Sequence, residues 1–380
     1  MVAIEPTTGE VLAFVSRPAF DPNLFVDGID TANWDALNNS PDKPLLNRPL
    51  RGAYPPGSTF KPFMALAALS IGKRTPEQAI SDPGYFNFGG HRFRDDKAGG
   101  HGMVDMYKSI VQSCDTYYYM LANDMGIDTI ARTLAPFGFG SLTGIDIDGE
   151  LPGILPSTAW KAARFKTPQL QKWYAGETIS VGIGQGYNAY TPLQLAHATA
   201  ILAADGMVKI PHLVREIEDA RTGARKRVDP PIPLDAKGNP SRPARIDAKP
   251  EHIAFIKNAM AGVVKEGTSA RVFAGAPYVS AGKTGTAQVF TVKQNERYDE
   301  KRIAHTLRDH AWYSAFAPLD APKIALAVLV ENGGFGAQSA APIARQLFDY
   351  AVAGKRPDKP GPAPMAGAAT GGAEVEAEGD

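Results

Sequence analysis

Ser58 and Lys61 stand three positions apart in Tyr54-Pro55-Pro56-Gly57-Ser58-Thr59-Phe60-Lys61. One helical turn at that spacing carries a lysine amine toward a serine hydroxyl. A serine is a weak nucleophile until a neighbouring base takes its proton. The pair is therefore a candidate for acyl transfer, Ser58 attacking and Lys61 accepting the proton. Lys61 can do so at neutral pH only if burial or a second cation lowers its proton affinity, and Lys283 is a candidate for that cation. Pro55-Pro56-Gly57 marks a helix entry. The run Pro62-Phe63-Met64-Ala65-Leu66-Ala67-Ala68-Leu69 predicts a buried helix, with Pro62 tolerated in its first turn. Free N–H groups at that helix start suit a developing oxyanion. Read alone, the segment is explained more simply by a serine capping a core helix, with a solvated lysine.

Two further strings extend the pattern. Lys283-Thr284-Gly285-Thr286 lies in the partly alternating stretch from Val279 to Phe290, which predicts a strand. A glycine inside a strand marks close approach of another backbone or a ligand. Gly285 is expected to let a substrate peptide lie alongside, with Lys283, Thr284 and Thr286 meeting its terminal carboxylate. An exposed strand with an ordinary lysine is an equal alternative for this segment alone. In Ser113-Cys114-Asp115, extended backbone would place Ser113 and Asp115 on one face and turn Cys114 away. Ser113 is then placed to relay a proton between Lys61 and a leaving amine. Asp115 can pair with Lys283 or with Lys61, but donates no hydrogen bond unless protonated.

Ser58–Lys61, Ser113–Asp115 and Lys283–Gly285, in that order, resemble the S-x-x-K, S-D-N and K-T-G set of penicillin-binding proteins and class A β-lactamases. The wider chain is similar to the transpeptidase domain of the penicillin-binding protein 2 family, the class B enzymes of the rod-shape elongation machinery. The likeness rests on Val2-Ala3-Ile4-Glu5-Pro6-Thr7-Thr8-Gly9-Glu10-Val11-Leu12-Ala13, Tyr54 to Ser58, His91-Arg92-Phe93-Arg94-Asp95, Gly182-Ile183-Gly184-Gln185-Gly186-Tyr187, Gly282 to Gln288 and Glu331-Asn332-Gly333-Gly334. It extends to about Lys355, and an aspartate in the second motif resembles this subfamily.

The resemblance implies a peptidoglycan D,D-transpeptidase. Ser58 would attack the penultimate D-alanine carbonyl of a stem peptide ending in D-Ala-D-Ala and expel the terminal D-alanine. The acyl group would pass to an amine on a neighbouring stem. The N–H groups of Ser58 and Thr286 would form the oxyanion hole, and β-lactam antibiotics would acylate Ser58 and stay. It also implies a SEDS-family glycosyltransferase and other elongation proteins as partners. A D,D-carboxypeptidase or β-lactamase on the same scaffold, and a non-turnover β-lactam sensor, are the alternatives. Glu150 and Glu177 fall where a deacylating glutamate would lie, but neither sits in a β-lactamase-like context.

Cys114 is the only cysteine, so no internal disulfide is possible. A free thiol in an oxidising compartment is a liability. Asp82, Asp95, His101 and Cys114 are zinc-ligand types in one local segment, at irregular spacing that matches no finger pattern. The resemblance implies a structural zinc beside the second motif, and no cofactor for the chemistry itself. A buried, inert cysteine is the alternative.

Lys plus Arg, 40, equals Asp plus Glu, 40, so net charge points neither to nucleic acid nor to an anionic membrane. The basic run Arg221 to Arg227 is expected to be a solvated loop. No stretch approaches the length of a membrane span. By resemblance the natural site is the periplasmic face of the inner membrane, with an anchor and pedestal expected upstream of a truncated or incomplete chain.

The fold class expected is α/β (α+β): the penicillin-recognising serine transpeptidase and β-lactamase-like fold, an antiparallel sheet flanked by helices. One transpeptidase domain over 1–355 would hold a mostly helical subdomain at about 76–204. A hairpin spans Val2 to Val15, turning at Pro6 to Gly9. Strands are also expected at His310 to Ala317 and Ile324 to Glu331, with helices at Glu251 to Val264 and about Ala340 to Ala353. Thr191-Pro192 predicts a helix start, with His197 a packed helix residue rather than a ligand, and Gly182 to Gly186 a turn near the cleft floor. Asp229 to Arg245 reads as a surface excursion. The Pro-, Gly-, Ala- and Glu-rich stretch 356–380 is expected to be disordered.

Overall fold

The computed structural model describes residues 1–230, 242–289 and 303–356. The expected tail from 357, the middle of the 229–245 excursion and Phe290 lie outside the described residues. The chain opens with strands β1 (Val2–Ile4) and β2 (Val11–Phe14). Four short strands follow, β3 (Ile80–Asp82), β4 (Tyr85–Phe88), β5 (His91–Arg94) and β6 (Gly102–Val104), then the hairpin β7 (Glu216–Glu218) and β8 (Arg225–Arg227). The last three are β9 (Ala281–Ala287), β10 (His310–Ala317) and β11 (Ile324–Val330). The main sheet is five-stranded in the order β2-β1-β11-β10-β9, and its pairs are antiparallel. The opening hairpin thus joins the closing strands in one sheet.

Burial on both faces explains the near-continuous apolar sequence of β10 and β11. Along β10 the side chains alternate. Trp312 and Phe316 enter the larger core with Phe60, Phe63 and Leu195, while Ala311, Tyr313 and Ala315 enter a smaller core with Phe273 and Phe348. The Pro192–Ala203 helix, buried on every side, lies on the first face, and the Ala341–Ala351 helix covers the second. Thr191 caps the former, accepting the Gln194 N–H at 3.1 Å while the Gln194 side chain accepts the Thr191 N–H at 3.0 Å. His197 is buried there, its Nε2 against the Lys209 carbonyl at 2.8 Å. Burial and the Arg242 charge push its ring down to about 3, so it packs as a neutral side chain.

The stretch from 76, expected to be mostly helical, begins instead with β3 to β6, paired as β3–β6 and β4–β5. Cross-strand contacts such as Phe86 opposite Phe93 hold it. The Pro192–Ala203 helix also packs on the main sheet rather than on the helices before it. Arg221 to Arg227 is not a loop throughout. Arg225–Arg227 pairs with Glu216–Glu218, and Arg225 donates to Glu218 at 2.8 Å. Arg242, at the far end of the expected excursion, packs back on the body and donates to Ser141 Oγ at 2.8 Å. No helix among the described residues is long and apolar enough to cross a membrane.

Candidate active site

Ser58 sits in a single 3-10 turn, Gly57–Phe60, which runs directly into the Lys61–Ser70 helix. The helix therefore begins at Lys61, and Pro62 occupies its first turn, where a missing N–H costs nothing. Every residue from Lys61 to Leu69 is buried, so this is a core helix. Phe60 and Phe63 wedge against Phe139 at ring-centroid distances of 5.5 and 5.2 Å. The Ser58 hydroxyl, by contrast, is half-exposed and makes no hydrogen bond among the described residues.

Backbone contact clamps the Ser58 turn to the sheet edge. Gly57 has φ +55, and a Cβ there would overlap the Thr286 carbonyl oxygen. Gly57 N–H donates to the Gly184 carbonyl at 3.0 Å, and Gln185 Nε2 donates to the Thr286 carbonyl at 3.1 Å. The N–H and C=O of a strand residue point to the same side. The Thr286 N–H therefore also faces outward from β9, toward the Ser58 turn. Trp312 Nε1 donates to the Pro55 carbonyl at 2.9 Å. Tyr54 OH donates to Glu331 at 2.6 Å, and Arg48 pairs with the same carboxylate at 2.7 Å.

Gly285 does not serve the purpose expected of it. A Cβ there would stand 2.8 Å from Thr59 Cγ2, 2.9 Å from the Pro56 oxygen and 3.1 Å from Trp312 Cβ. The glycine admits the protein's own Ser58 turn, and the unpaired edge of β9 is what remains for another strand. Gly285→Ala is expected to cost about 1–3 kcal/mol through overpacking. Thermal melting should show that loss, together with slower acylation by a labelled penicillin as Ser58 shifts from the edge.

Cross-strand partners share a face, so Lys283, opposite Ser314, projects with Trp312 and Phe316 toward the helical layer. Its amine donates to Ser113 Oγ at 2.9 Å and to the Thr284 carbonyl at 3.0 Å. Lys61 Nζ reaches the same hydroxyl at 3.2 Å, the Ser113 carbonyl at 2.5 Å and Asp115 Oδ1 at 2.6 Å. The three motifs thus meet on the Ser113 hydroxyl, with an amine on each side. No hydrogen bond joins Lys61 to Ser58: the amine is engaged by Ser113 and Asp115. Of the two pairings open to Asp115, Lys61 takes it. Burial, then the Lys61 charge, hold the Lys283 amine well below the usual lysine range. Burial pushes the Asp115 carboxyl up, with Lys61 opposing.

Ser113 and Asp115 do not share a face through extended backbone. Ser113 is left-handed at φ +62, and Asp115 is the first residue of the Asp115–Met125 helix. A non-glycine residue holds that conformation only where its surroundings over-determine it. Lys61 and Lys283 hold Ser113 itself, and the next residue, Cys114, sits with Asp82, Asp95 and His101 in a cluster whose potential ligand atoms all lie within 4.8 Å of one another. Cys114 Sγ is 3.4 Å from a carboxylate oxygen of each aspartate. His101 Nδ1 is 2.9 Å from Asp82 and 3.3 Å from Asp95. Burial and the aspartates push the thiol up, while hydrogen bonds oppose burial at Asp82 and Asp95 and hold both carboxyls low. Two buried carboxylates, an imidazole and a thiol converging at this spacing fit a tetrahedral zinc with nitrogen, oxygen and sulfur ligands. The Thr116 N–H donates to Asp95 at 2.7 Å, a second contact that orients that carboxylate.

A family model described as penicillin binding protein transpeptidase domain matches residues 1–349. The chain belongs to the penicillin-binding protein transpeptidase family. It is 45% identical over 352 residues to the peptidoglycan D,D-transpeptidase MrdA of Acinetobacter baumannii, covering 92% of this chain and 50% of that protein. Identity to MrdA of Escherichia coli strain K12 is 43% over 358 residues, 93% of this chain and 54% of that protein. The chain thus spans about half the length of these relatives. Among solved structures, Pseudomonas aeruginosa PBP2 in complex with WCK 5153 superposes with a TM-score of 0.78 at 42% identity, over 92% of this chain and 69% of that one. PBP2 in complex with MreC from Helicobacter pylori gives 0.75 at 31% identity, over 92% and 59%. The penicillin-binding protein fold read from the motifs is therefore the fold of this chain.

As a penicillin-binding protein domain, the molecule also uses residues to which sequence alone gives no role of their own. Trp312, Gln185 and the Tyr54–Glu331–Arg48 group fix the Ser58 turn. Gln185 lay within the glycine-rich string already read as a turn near the cleft floor. Thr268 joins Thr284 hydroxyl to hydroxyl at 2.7 Å, and no sequence signal marked it.

Proposed function

We propose that the chain is the transpeptidase domain of a peptidoglycan D,D-transpeptidase acting in lateral wall growth, inhibited covalently by β-lactams. The observation that carries this reading is the Ser113 hydroxyl suspended between two buried amines, one of them Lys61, whose helix is entered by the turn that carries the accessible, unbonded Ser58. Ser58 attacks the penultimate D-alanine carbonyl of a stem peptide, its proton moving to the Lys61 amine in that amine's neutral form. Ser113 then passes a proton to the departing D-alanine amine. The Ser58 and Thr286 N–H groups hold the oxyanion. The free edge of β9 pairs with the donor peptide, and Lys283, Thr284 and Thr286 take its carboxylate. Asp115 holds the Lys61 amine against Ser113.

Among the described residues, neither glutamate of the interval that holds a β-lactamase's deacylating base is free. Glu177 is bound by Lys161 at 2.5 and 2.7 Å, and Glu150 accepts the Thr143 N–H at 2.7 Å. The experiment is to form the acyl-enzyme with a D-alanyl thioester and add an amine. Capture of the acyl group by the amine in preference to water supports a transpeptidase. Rapid hydrolysis that the amine does not divert identifies a carboxypeptidase, and a persistent adduct with no turnover a sensor.

We further propose that Asp82, Asp95, His101 and Cys114 hold a structural zinc whose contribution is to fix Cys114, and through it the strained Ser113. Metal analysis should find one zinc per chain. Removing it with a chelator should lower the melting temperature and slow acylation. Melting and acylation both unchanged, in protein shown to contain zinc, would contradict the structural role. By family resemblance we also propose placement at the periplasmic face of the inner membrane and work beside a SEDS-family glycosyltransferase and other elongation proteins; a PBP2 of Helicobacter pylori forms a complex with MreC.

A further inference from the structure

A shallow groove of about 260 Å³ runs between the end of the Pro250–Lys265 helix and the loop that carries His101, bordered by the residues just before Ser113. Gln112, next to Ser113, and Thr268, bonded to Thr284, line its two sides. Lys97 and Glu266 bring opposite charges to it from separate elements. Its floor is built tightly, since a Cβ on Gly267 would overlap the Val111 carbonyl oxygen. Tyr107 OH fixes Glu266 by donating to Oε1 at 2.6 Å, leaving Oε2 unused. The Lys97 amine and the Gln112 amide make no hydrogen bond among the described residues.

We infer that this groove binds the acceptor strand, a peptide with a free primary amine and a carboxylate close to it. The inference rests on the transpeptidase reading above. By microscopic reversibility the incoming amine enters where the D-alanine amine left, beside Ser113. Its nitrogen bonds to the acyl carbon and the bond from that carbon to Ser58 Oγ breaks. The amine's proton returns through Ser113 and Lys61 to Oγ, leaving an amide and a free serine. A chain delivered to that point trails away from Ser113 between Gln112 and Thr268. There the Lys97 cation meets the carboxylate and the free Glu266 oxygen meets amide or amine N–H groups.

The test uses the full chain, a D-alanyl thioester donor, and two acceptors. One is hydroxylamine, too small to reach the groove; the other is a tripeptide ending in a dibasic residue with a free side-chain amine. In Lys97→Ala and in Glu266→Gln, the ratio of aminolysis to hydrolysis with the tripeptide should fall about tenfold, the weight of one charge-assisted contact. The ratio with hydroxylamine and the rate of penicillin acylation should hold. Unchanged tripeptide ratios in both variants would overturn the inference. So would an equal fall with hydroxylamine, or a loss confined to acylation, which would place the donor in the groove. Failure of the wild-type chain to form any acyl-enzyme at Ser58 would instead remove the underlying reading.

Discussion

Ser58→Ala is expected to abolish covalent labelling by a fluorescent penicillin while leaving the melting curve almost where it was. The Ser58 hydroxyl is accessible and makes no hydrogen bond, so its removal strands no buried partner and opens no cavity. A substitution of that kind changes stability by about 0.5 kcal/mol or less. The loss of labelling therefore cannot be ascribed to unfolding. Nothing nearby replaces the nucleophile: Thr59 is buried, with its hydroxyl committed to the Pro56 carbonyl at 2.7 Å. Intact-mass analysis after incubation should show the adduct on wild type alone. An adduct of equal yield on the variant, mapped to another residue, would overturn the assignment.

Lys61→Ala should slow acylation by several orders of magnitude, combining loss of the base, roughly 10²–10⁴-fold, with misplacement of Ser113. Unlike Ser58, Lys61 is fully buried and paired with Asp115. Removing one partner of such a pair costs roughly 3–5 kcal/mol, because it leaves the other charge uncompensated. The variant should therefore melt lower, and Lys61→Met, which keeps most of the volume, should melt between the two. Stopped-flow acylation at a temperature where each variant is folded separates the effects. If Lys61→Met acylates within tenfold of wild type, the amine is not the base.

Much of this architecture was legible in the chain. The near-continuous apolar runs of β10 and β11, the cap at Thr191 and the early hairpin each follow from local pattern, and each formed where pattern placed it. The convergence of Ser58, Lys61, Ser113 and Lys283 was legible for a different reason: three weak motifs in a fixed order constrain one another. What local pattern missed is instructive. Extended backbone was expected to carry Ser113 and Asp115 on one face, yet Ser113, gripped by Lys61 and Lys283 beside an anchored Cys114, takes a left-handed conformation that no propensity favours. Helical expectation over 76–104 failed because short aromatic cross-strand pairs and the Asp82–His101 contacts, all tertiary, outweigh it. Gly285 was assigned to a ligand, since sequence cannot reveal which backbone approaches a glycine. Gln185 and Glu331 stood in strings already singled out, but their contacts with the Ser58 turn, like the Thr268–Thr284 contact, span long sequence separations that spacing does not reveal.

The glycines that seat the Ser58 turn limit how such an enzyme can evade an inhibitor. A side chain at Gly57 or Gly285 would collide with backbone, and at Gly184 a Cβ would overlap the Gly57 carbonyl oxygen. These positions are closed to mutational escape, because any replacement dislodges the hydroxyl that the wall-building reaction also needs. Changes at outlying positions such as Gln112, Glu266 and Lys97 leave the floor of the cleft in place, but there they would weaken capture of the acceptor and leave the drug's acylation of Ser58 as it was.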